Sequence, residues 1–177
     1  MTTPAMTPRV KTTPVKTTPV ITLRDPQPGD MGWVVQQHAE VYWREYGWDM
    51  RFEGLVAGIV SDFVEKYQSD FENCWIAEVN GMRAGSAFVV RKSKTTAQLR
   101  MLILSPEARG LGLGGTLCDE CIAFARAKGY KKMTLWTNNC LIAARAIYLK
   151  RGFKLVKTEP YHGFGQDLVG ETWELRL

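Results

Sequence analysis

The sequence predicts an α/β (α+β) fold: one mixed sheet with helices on both faces. Three observations carry this. Hydrophobic periodicity along the chain reads β-α-α-β-β-β-α-β-α-β-β. Asn80-Gly81, between two apolar stretches, signals a tight hairpin. The stretch Leu102-Ile103-Leu104-Ser105-Pro106 followed by Arg109-Gly110-Leu111-Gly112-Leu113-Gly114-Gly115 reads as a buried strand, a Pro stop, a glycine-rich turn and a helix start.

The elements follow in order. Residues 1–20 repeat Lys-Thr-Thr-Pro-Val in tandem and hold almost no large apolar side chains, which predicts an extended tail. Ile21-Thr22-Leu23-Arg24 alternates like a strand, and Pro26, Pro28 and Gly29 make a turn. Asp30 is the expected N-cap of a helix running to about Tyr46, which Gly47-Trp48-Asp49 interrupts. A second helix, about 51–67, places Phe52, Leu55, Val56, Ile59, Val60 and Phe63 at helical spacing. Strands are expected at 74–79, 86–90 and 96–104. Beyond the glycine turn, Leu117, Cys118, Cys121, Ile122 and Ala125 form one helical face, which Gly129 ends. A strand at 133–137, a helix at 141–150 closed by Gly152, and strands at 153–157 and 171–177 complete the domain, 21–177.

Composition narrows the functional classes. At 177 residues a single folded domain is expected, and 45% hydrophobic content suits a globular core. No apolar run approaches the ~20 residues of a membrane span, and the N-terminus carries no apolar leader. The net charge is +5, but Arg9, Lys11 and Lys16 in the tail hold much of it, so nucleic acid is not an expected partner. Cys118 and Cys121 form a C-x-x-C inside a helix without a second pair or a His cluster, so packing is preferred to metal and no metal site is assigned. Reduced thiols in a cytoplasmic protein are the simpler reading.

The glycine turn is the strongest chemical signal. Without Cβ atoms a ligand can approach the main chain, and the first N–H groups of the following helix have no partner inside it. Such a corner suits a phosphate or pyrophosphate. The turn comes late in the chain, whereas a Rossmann turn follows the first strand, and no Gly-Lys-Ser/Thr of a P-loop is present.

The element order, with Pro106-x-x-Arg109-Gly110-x-Gly112-x-Gly114 and Ala144-x-x-x-Tyr148-x-x-x-Gly152-Phe153, resembles the GCN5-related N-acetyltransferase (GNAT) family. The likeness is closer to domains fused to MarR-type regulators, through Tyr46-Gly47-Trp48-Asp49 and the segment 165–173. The resemblance implies a mostly antiparallel central sheet and acetyl-CoA as co-substrate. It implies that residues 109–115 hold the CoA pyrophosphate, that Leu102, Ile103 and Leu104 run beside the pantetheine, and that a backbone N–H there meets the developing oxyanion. Tyr148 stands at the position that protonates the departing thiolate. Where many members have an Asn, this chain has Leu141; Asn138 and Asn139 lie just upstream, and Asn139 is assigned to the cofactor. Members often carry a basic Glu on the central strand; here it shows Gln98 and Arg100, which leaves water, Glu45, His38 or His162 as bases. Glu45, Tyr46 and Trp48, with Trp43 nearby, are the expected acceptor wall. The implied reaction is acetylation of a primary amine on a small molecule, amino acid or peptide. A non-catalytic acetyl-CoA-sensing module and a protein-interaction domain are the alternatives, and an edge strand near the C-terminus leaves a homodimer open.

Overall fold

The computed structural model describes residues 18–177. The expected tail therefore lies, but for its last three residues, outside the described residues. Val20 is already fastened: its N–H donates to Asn80 Oδ1 and its carbonyl accepts from Asn80 N–H.

The elements are β1 (Ile21–Arg24), α1 (Asp30–Tyr46), α2 (Met50–Lys66), β2 (Asn73–Val79), β3 (Met82–Arg91), β4 (Thr96–Leu104), a 3₁₀ turn (Pro106–Ala108), α3 (Leu113–Ala127), β5 (Lys132–Asn138), α4 (Ile142–Lys150), β6 (Lys154–Gly163) and β7 (Gln166–Arg176). They form one seven-stranded sheet in the order β1-β2-β3-β4-β5-β7-β6. Only β4 and β5 are parallel; every other neighbouring pair is antiparallel. Val34, Phe52, Val56, Val60 and Phe63 of α1 and α2 pack on Ile76 and Phe88. On the other face Leu117, Cys118 and Cys121 of α3 and Tyr148 of α4 pack with Val89, Leu99, Leu135 and Trp173. Cys118 and Cys121 are thus core residues, and burial pushes the Cys118 thiol up to about 12.

Asp30 does not cap α1. Gly29 holds the cap position, and the fully buried Asp30 carboxylate is clamped by Arg24, by Arg83 and by the Gln27 N–H. The N-cap preference yielded to two guanidiniums brought in by β1 and β3. At α2 the preference holds: Asp49 accepts from Arg51 N–H.

The last hairpin is longer than its sequence pattern indicates. Pairing continues to Gly163↔Gln166, closed by Phe164 and Gly165, both at positive φ. Pro160 is tolerated because β6 is the edge strand. Gly170, which resembles a strand breaker, allows the Trp136 ring to lie against β7; a Cβ there would sit 2.8 Å from it.

The feature that makes a site is a splay at the centre of the sheet. β4 and β5 pair only from Thr96↔Lys132 to Leu99↔Leu135. Beyond that point β5 stays with β7 to Asn138↔Gly170, while β4 stays with β3 to Leu104↔Gly85. A bulge in β4 assists: Phe88 pairs with Arg100 and Ser86 with Ile103, Met101 takes φ 51°, and its carbonyl accepts from Ser86 Oγ at 3.0 Å.

Candidate active site

The splay opens a cavity of 460 Å³ between the α2 residues Phe52, Leu55 and Ile59 on one side and Trp136, Asn138 and Tyr148 on the other. A second cavity, of 180 Å³, adjoins the glycine turn and is lined by Glu45, Tyr46, Leu102, Ile103, Leu104 and Arg109, with Gly114 and Ile147 behind them. Tyr42, Leu102, Leu141 and Ala144 line both. The two cavities therefore adjoin as halves of one passage, from the start of α3 to the space between α2 and β5.

The glycine turn is built as an anion cradle. Gly112 is the N-cap of α3 at φ 76°, a left-handed conformation that glycine adopts without strain, and a Cβ there would meet nothing within 4 Å. The N–H groups of residues 110–115 form no backbone hydrogen bond among the described residues; the next amide, of Thr116, donates to Gly112 O. Gly110, Leu111 and Gly112 are exposed, so the unpaired amides of the turn face solvent at the positive end of a helix dipole. Gly114 serves close packing instead: a Cβ would lie 2.9 Å from Ile147 Cδ1. The Arg109 guanidinium pairs with Glu45 at 2.7 Å, not with Glu107. Arg151, held by Asp119 at 2.6 Å, lies against Gly115 and adds a second cation beside the turn.

Burial sets the state of the titratable groups. Tyr148 is 5% exposed and desolvation holds its phenol well above the ordinary tyrosine range, so it keeps its proton. Tyr42 is raised for the same reason. His38 is 3% exposed; desolvation pushes its imidazole down to about 4, against a smaller opposing effect of the bond to Val34 O. Nδ1 lies 2.8 Å from that carbonyl and therefore carries the hydrogen, which leaves Nε2 with the lone pair. His38 lines the larger cavity, uncharged at neutral pH.

The sequence-assigned residues divide. Leu102, Ile103, Leu104, Arg109 and Gly114 line the passage, Gly110, Leu111 and Gly112 form the exposed turn, Gly115 follows as the third residue of α3, and Leu113 is core. Tyr148 lines the larger cavity. Trp48 does as well, but as a 3% exposed ring between Tyr42, Phe52 and Phe164. Glu45 and Tyr46 line the smaller cavity, beside the turn. Asn139 lines neither: it is exposed, and its N–H donates to Val169 O. Its neighbour Asn138 is buried in the cavity wall and accepts from the Tyr161 hydroxyl. Trp43 is exposed and outside both cavities, and His162 pairs with Asp167 on the last hairpin. Sequence reading missed Arg100, Lys92 and Trp136 as wall residues. Arg100 is noted in the sequence only as standing on the central strand without an acid beside it, and nothing local says what covers it.

The segments 46–49 and 165–173 prove to be neighbours. Asp49 N–H donates to Phe164 O, and Gln166 Nε2 donates to Gly47 O. The hairpin tip thus braces the α1–α2 junction over the larger cavity.

A sheet parted at a parallel pair, beside a helix start with bared amides, defines an acyl-CoA-dependent transferase fold. The family model described as the acetyltransferase (GNAT) family matches residues 35–153. The chain belongs to that family, whose members are acyltransferases that use acetyl-CoA. It is 30% identical to an uncharacterized N-acetyltransferase of Schizosaccharomyces pombe, covering 75% of this chain and 78% of that protein. It is 30% identical to a probable N-acetyltransferase, camello, of Xenopus tropicalis over 64% of this chain and 55% of that protein. With N-acetyltransferase 8B of Homo sapiens the figures are 29%, 58% and 48%, so the chain spans about half the length of the frog and human relatives. Among solved structures, yncA of Salmonella typhimurium, solved with its cofactor acetyl-CoA, superposes with TM-score 0.68 at 21% identity, over 88% of this chain and 93% of that one. An N-acetyltransferase from Staphylococcus aureus superposes with TM-score 0.73 at 20% identity, over 89% and 98%. Among the described residues no helix is long and apolar enough to cross a membrane.

Proposed function

We propose that this protein transfers the acetyl group of acetyl-CoA to a primary amine. The observation that carries the reading is the pair of adjoining cavities: unpaired amides beside one, the 460 Å³ cavity beyond it, and Tyr42, Leu102, Leu141 and Ala144 common to both. When bound, acetyl-CoA supplies the activated acyl group. The amides of residues 110–115 hold its pyrophosphate, and Arg109 and Arg151 add positive charge nearby. Beyond Leu99 the backbone of β4 has no β5 partner, so residues 102–104 are free to pair with the pantetheine amides and to donate an N–H to the reacting carbonyl oxygen. Tyr148 keeps its proton through the working pH range and delivers it to the departing sulfur. His38, neutral and with a lone pair on Nε2, accepts a hydrogen bond from the attacking amine. It is too weak a base to strip an ammonium ion, so the amine enters as its free base or loses its proton to water.

The four free thiols fit a reducing, cytoplasmic setting, and the open edge of β6 offers a place for a second copy to pair.

The test is release of CoA thiol from acetyl-CoA with a panel of small amines, amino acids and peptides, alongside calorimetric binding of acetyl-CoA. Binding with turnover of at least one amine is the expected result. Binding without release of thiol for any amine would make the protein an acetyl-CoA sensor instead. An absence of binding would overturn the assignment of the glycine turn.

A further inference from the structure

The charges around the larger cavity do not suit a plain cationic amine. Lys92 and Arg100 line it, and neither Asp nor Glu does. His38 adds no charge at neutral pH. Glu45, the acid expected to attract an ammonium, lies in the smaller cavity and is taken by Arg109.

Arg100 is the unusual member. It pairs with Phe88 across the β3–β4 ladder, and Phe88 belongs to the core under α1 and α2, so Arg100 faces the cavity floor. Its guanidinium is partly buried and forms no salt bridge among the described residues; Arg91, Arg126 and Arg176 form none either, but they do not line this cavity. Asp62, the acid whose field reaches it, is occupied by Lys66 at 2.5 Å. Desolvation already weighs against the Arg100 charge. A partly buried guanidinium without an ion-pair partner is poised to take one, and a carboxylate matches its fork. The cofactor's phosphates are not that partner, because Arg100 lines the larger cavity and a small pocket beside Phe63 and Phe88, but not the cavity at the glycine turn. The acids of that small pocket are engaged elsewhere: Asp62 by Lys66, and Glu72 by the N–H groups of Gln68 and Arg91. The wall also carries an apolar patch, formed by Leu55, Ile59 and the half-exposed Trp136 ring.

We propose that Arg100 is the carboxylate-binding residue of the acceptor site, and that the acceptor is a free amino acid with an apolar side chain. The inference rests on the transferase reading above and selects among its acceptors. A peptide N-terminus has no carboxylate beside its amine, and a simple alkylamine has none at all. The carboxylate docks on Arg100, Lys92 screens it at the cavity mouth, the side chain lies against Leu55, Ile59 and Trp136, and the amine is left towards Leu102. On transfer the nitrogen–carbonyl bond forms as the carbon–sulfur bond breaks; the amine's surplus proton leaves to water, the sulfur takes one from Tyr148, and Tyr148 regains a proton from water.

The experiment has two arms. In the first, kcat/KM at saturating acetyl-CoA is compared for phenylalanine, phenylalaninamide and phenethylamine, and for the leucine series, each corrected for its free-base fraction. The amino acids should exceed their amides and decarboxylated amines by about 10- to 100-fold. Arg100→Gln should remove that preference through KM, Arg100→Lys should keep part of it, and neither should alter acetyl-CoA affinity. In the second arm, calorimetry on the CoA-loaded protein compares N-acetylphenylalanine and N-acetylleucine with their amides. The acids should bind at least about tenfold tighter in the wild type and no tighter in Arg100→Gln, with thermal unfolding showing the variants folded. Equal binding of acids and amides, an undiminished preference in Arg100→Gln, or no binding of any carboxylate ligand overturns the proposal. A carboxylate preference without turnover of any amine would leave the Arg100 site standing while the transferase reading fell.

Discussion

His38 provides a measurement of how dry the acceptor cavity is. In the unfolded chain its imidazole titrates near 6.5, and in the folded protein burial pushes it down to about 4. Between those values the unfolded state binds the extra proton and the folded state does not. Stability from this group is therefore complete above pH 6.5 and drains away as the pH falls towards 4. Across that window each step of one pH costs about 1.4 kcal/mol, so lowering the pH from 7 to 5 should cost about 2 kcal/mol from His38 alone. Asp30, held low chiefly by Arg24, loses its contribution only below the ordinary carboxylate range and does not intrude. The neighbouring Tyr42 and Phe52 rings carry no charge in this window. The assay is urea unfolding followed by tryptophan fluorescence at pH 7 and pH 5, for the wild type and His38→Gln. The wild type should lose about 2 kcal/mol more than the variant. Equal losses would mean that the imidazole is hydrated in the folded protein and that the larger cavity does not exclude water around it.

Three further outcomes are expected. Gly112→Glu places a carboxylate where the pyrophosphate belongs and a side chain at φ 76°, so acetyl-CoA affinity measured by calorimetry should fall at least about 100-fold; an unchanged Kd would remove the turn from the site. Asp30→Asn leaves Arg24 and Arg83 without their shared carboxylate and should destabilise the fold by about 2–4 kcal/mol in urea, the difference closing as the pH falls below 4 and the native carboxyl protonates. Tyr148→Phe removes one buried hydroxyl and no packing volume, so melting should hardly change while kcat falls about 10- to 1,000-fold at constant acetyl-CoA Kd; an unaltered kcat would make Tyr148 a packing residue only.

Much of the fold was legible because its signals are local. Asn80-Gly81 closes the β2–β3 hairpin with both residues at positive φ, and α3 begins at Leu113, where the glycine pattern places a helix start. What failed depended on partners distant in sequence. Asp30 has the right side chain for a cap, but Arg24 and Arg83 reach it first. Pro160, Gly163, Gly165 and Gly170 resemble breakers; on an edge strand, in a two-residue turn and beneath Trp136 they are compatible with one long hairpin. The β4 bulge and the parting from β5 carry no sequence signature, because they follow from β5 choosing β7 as its partner.

The same distinction runs through the candidate site. Its cofactor half is made of backbone, and backbone exposure is written in a run of glycines. Its acceptor half is made of side chains from α1, α2, β4, β5 and α4 that meet only after folding. Arg100 illustrates the consequence. In sequence it is an ordinary charged residue on a strand; its chemical meaning comes from having no salt bridge of its own, because Asp62 of α2 is held by Lys66 and no acid lines the larger cavity, and neither fact belongs to β4. An acceptor site defined this way can change specificity by a single charge on α2 or β5, with the glycine turn and Tyr148 untouched. Placing an acid at Leu55 or Ile59 should therefore turn the site against carboxylate-bearing amines while acetyl-CoA affinity holds.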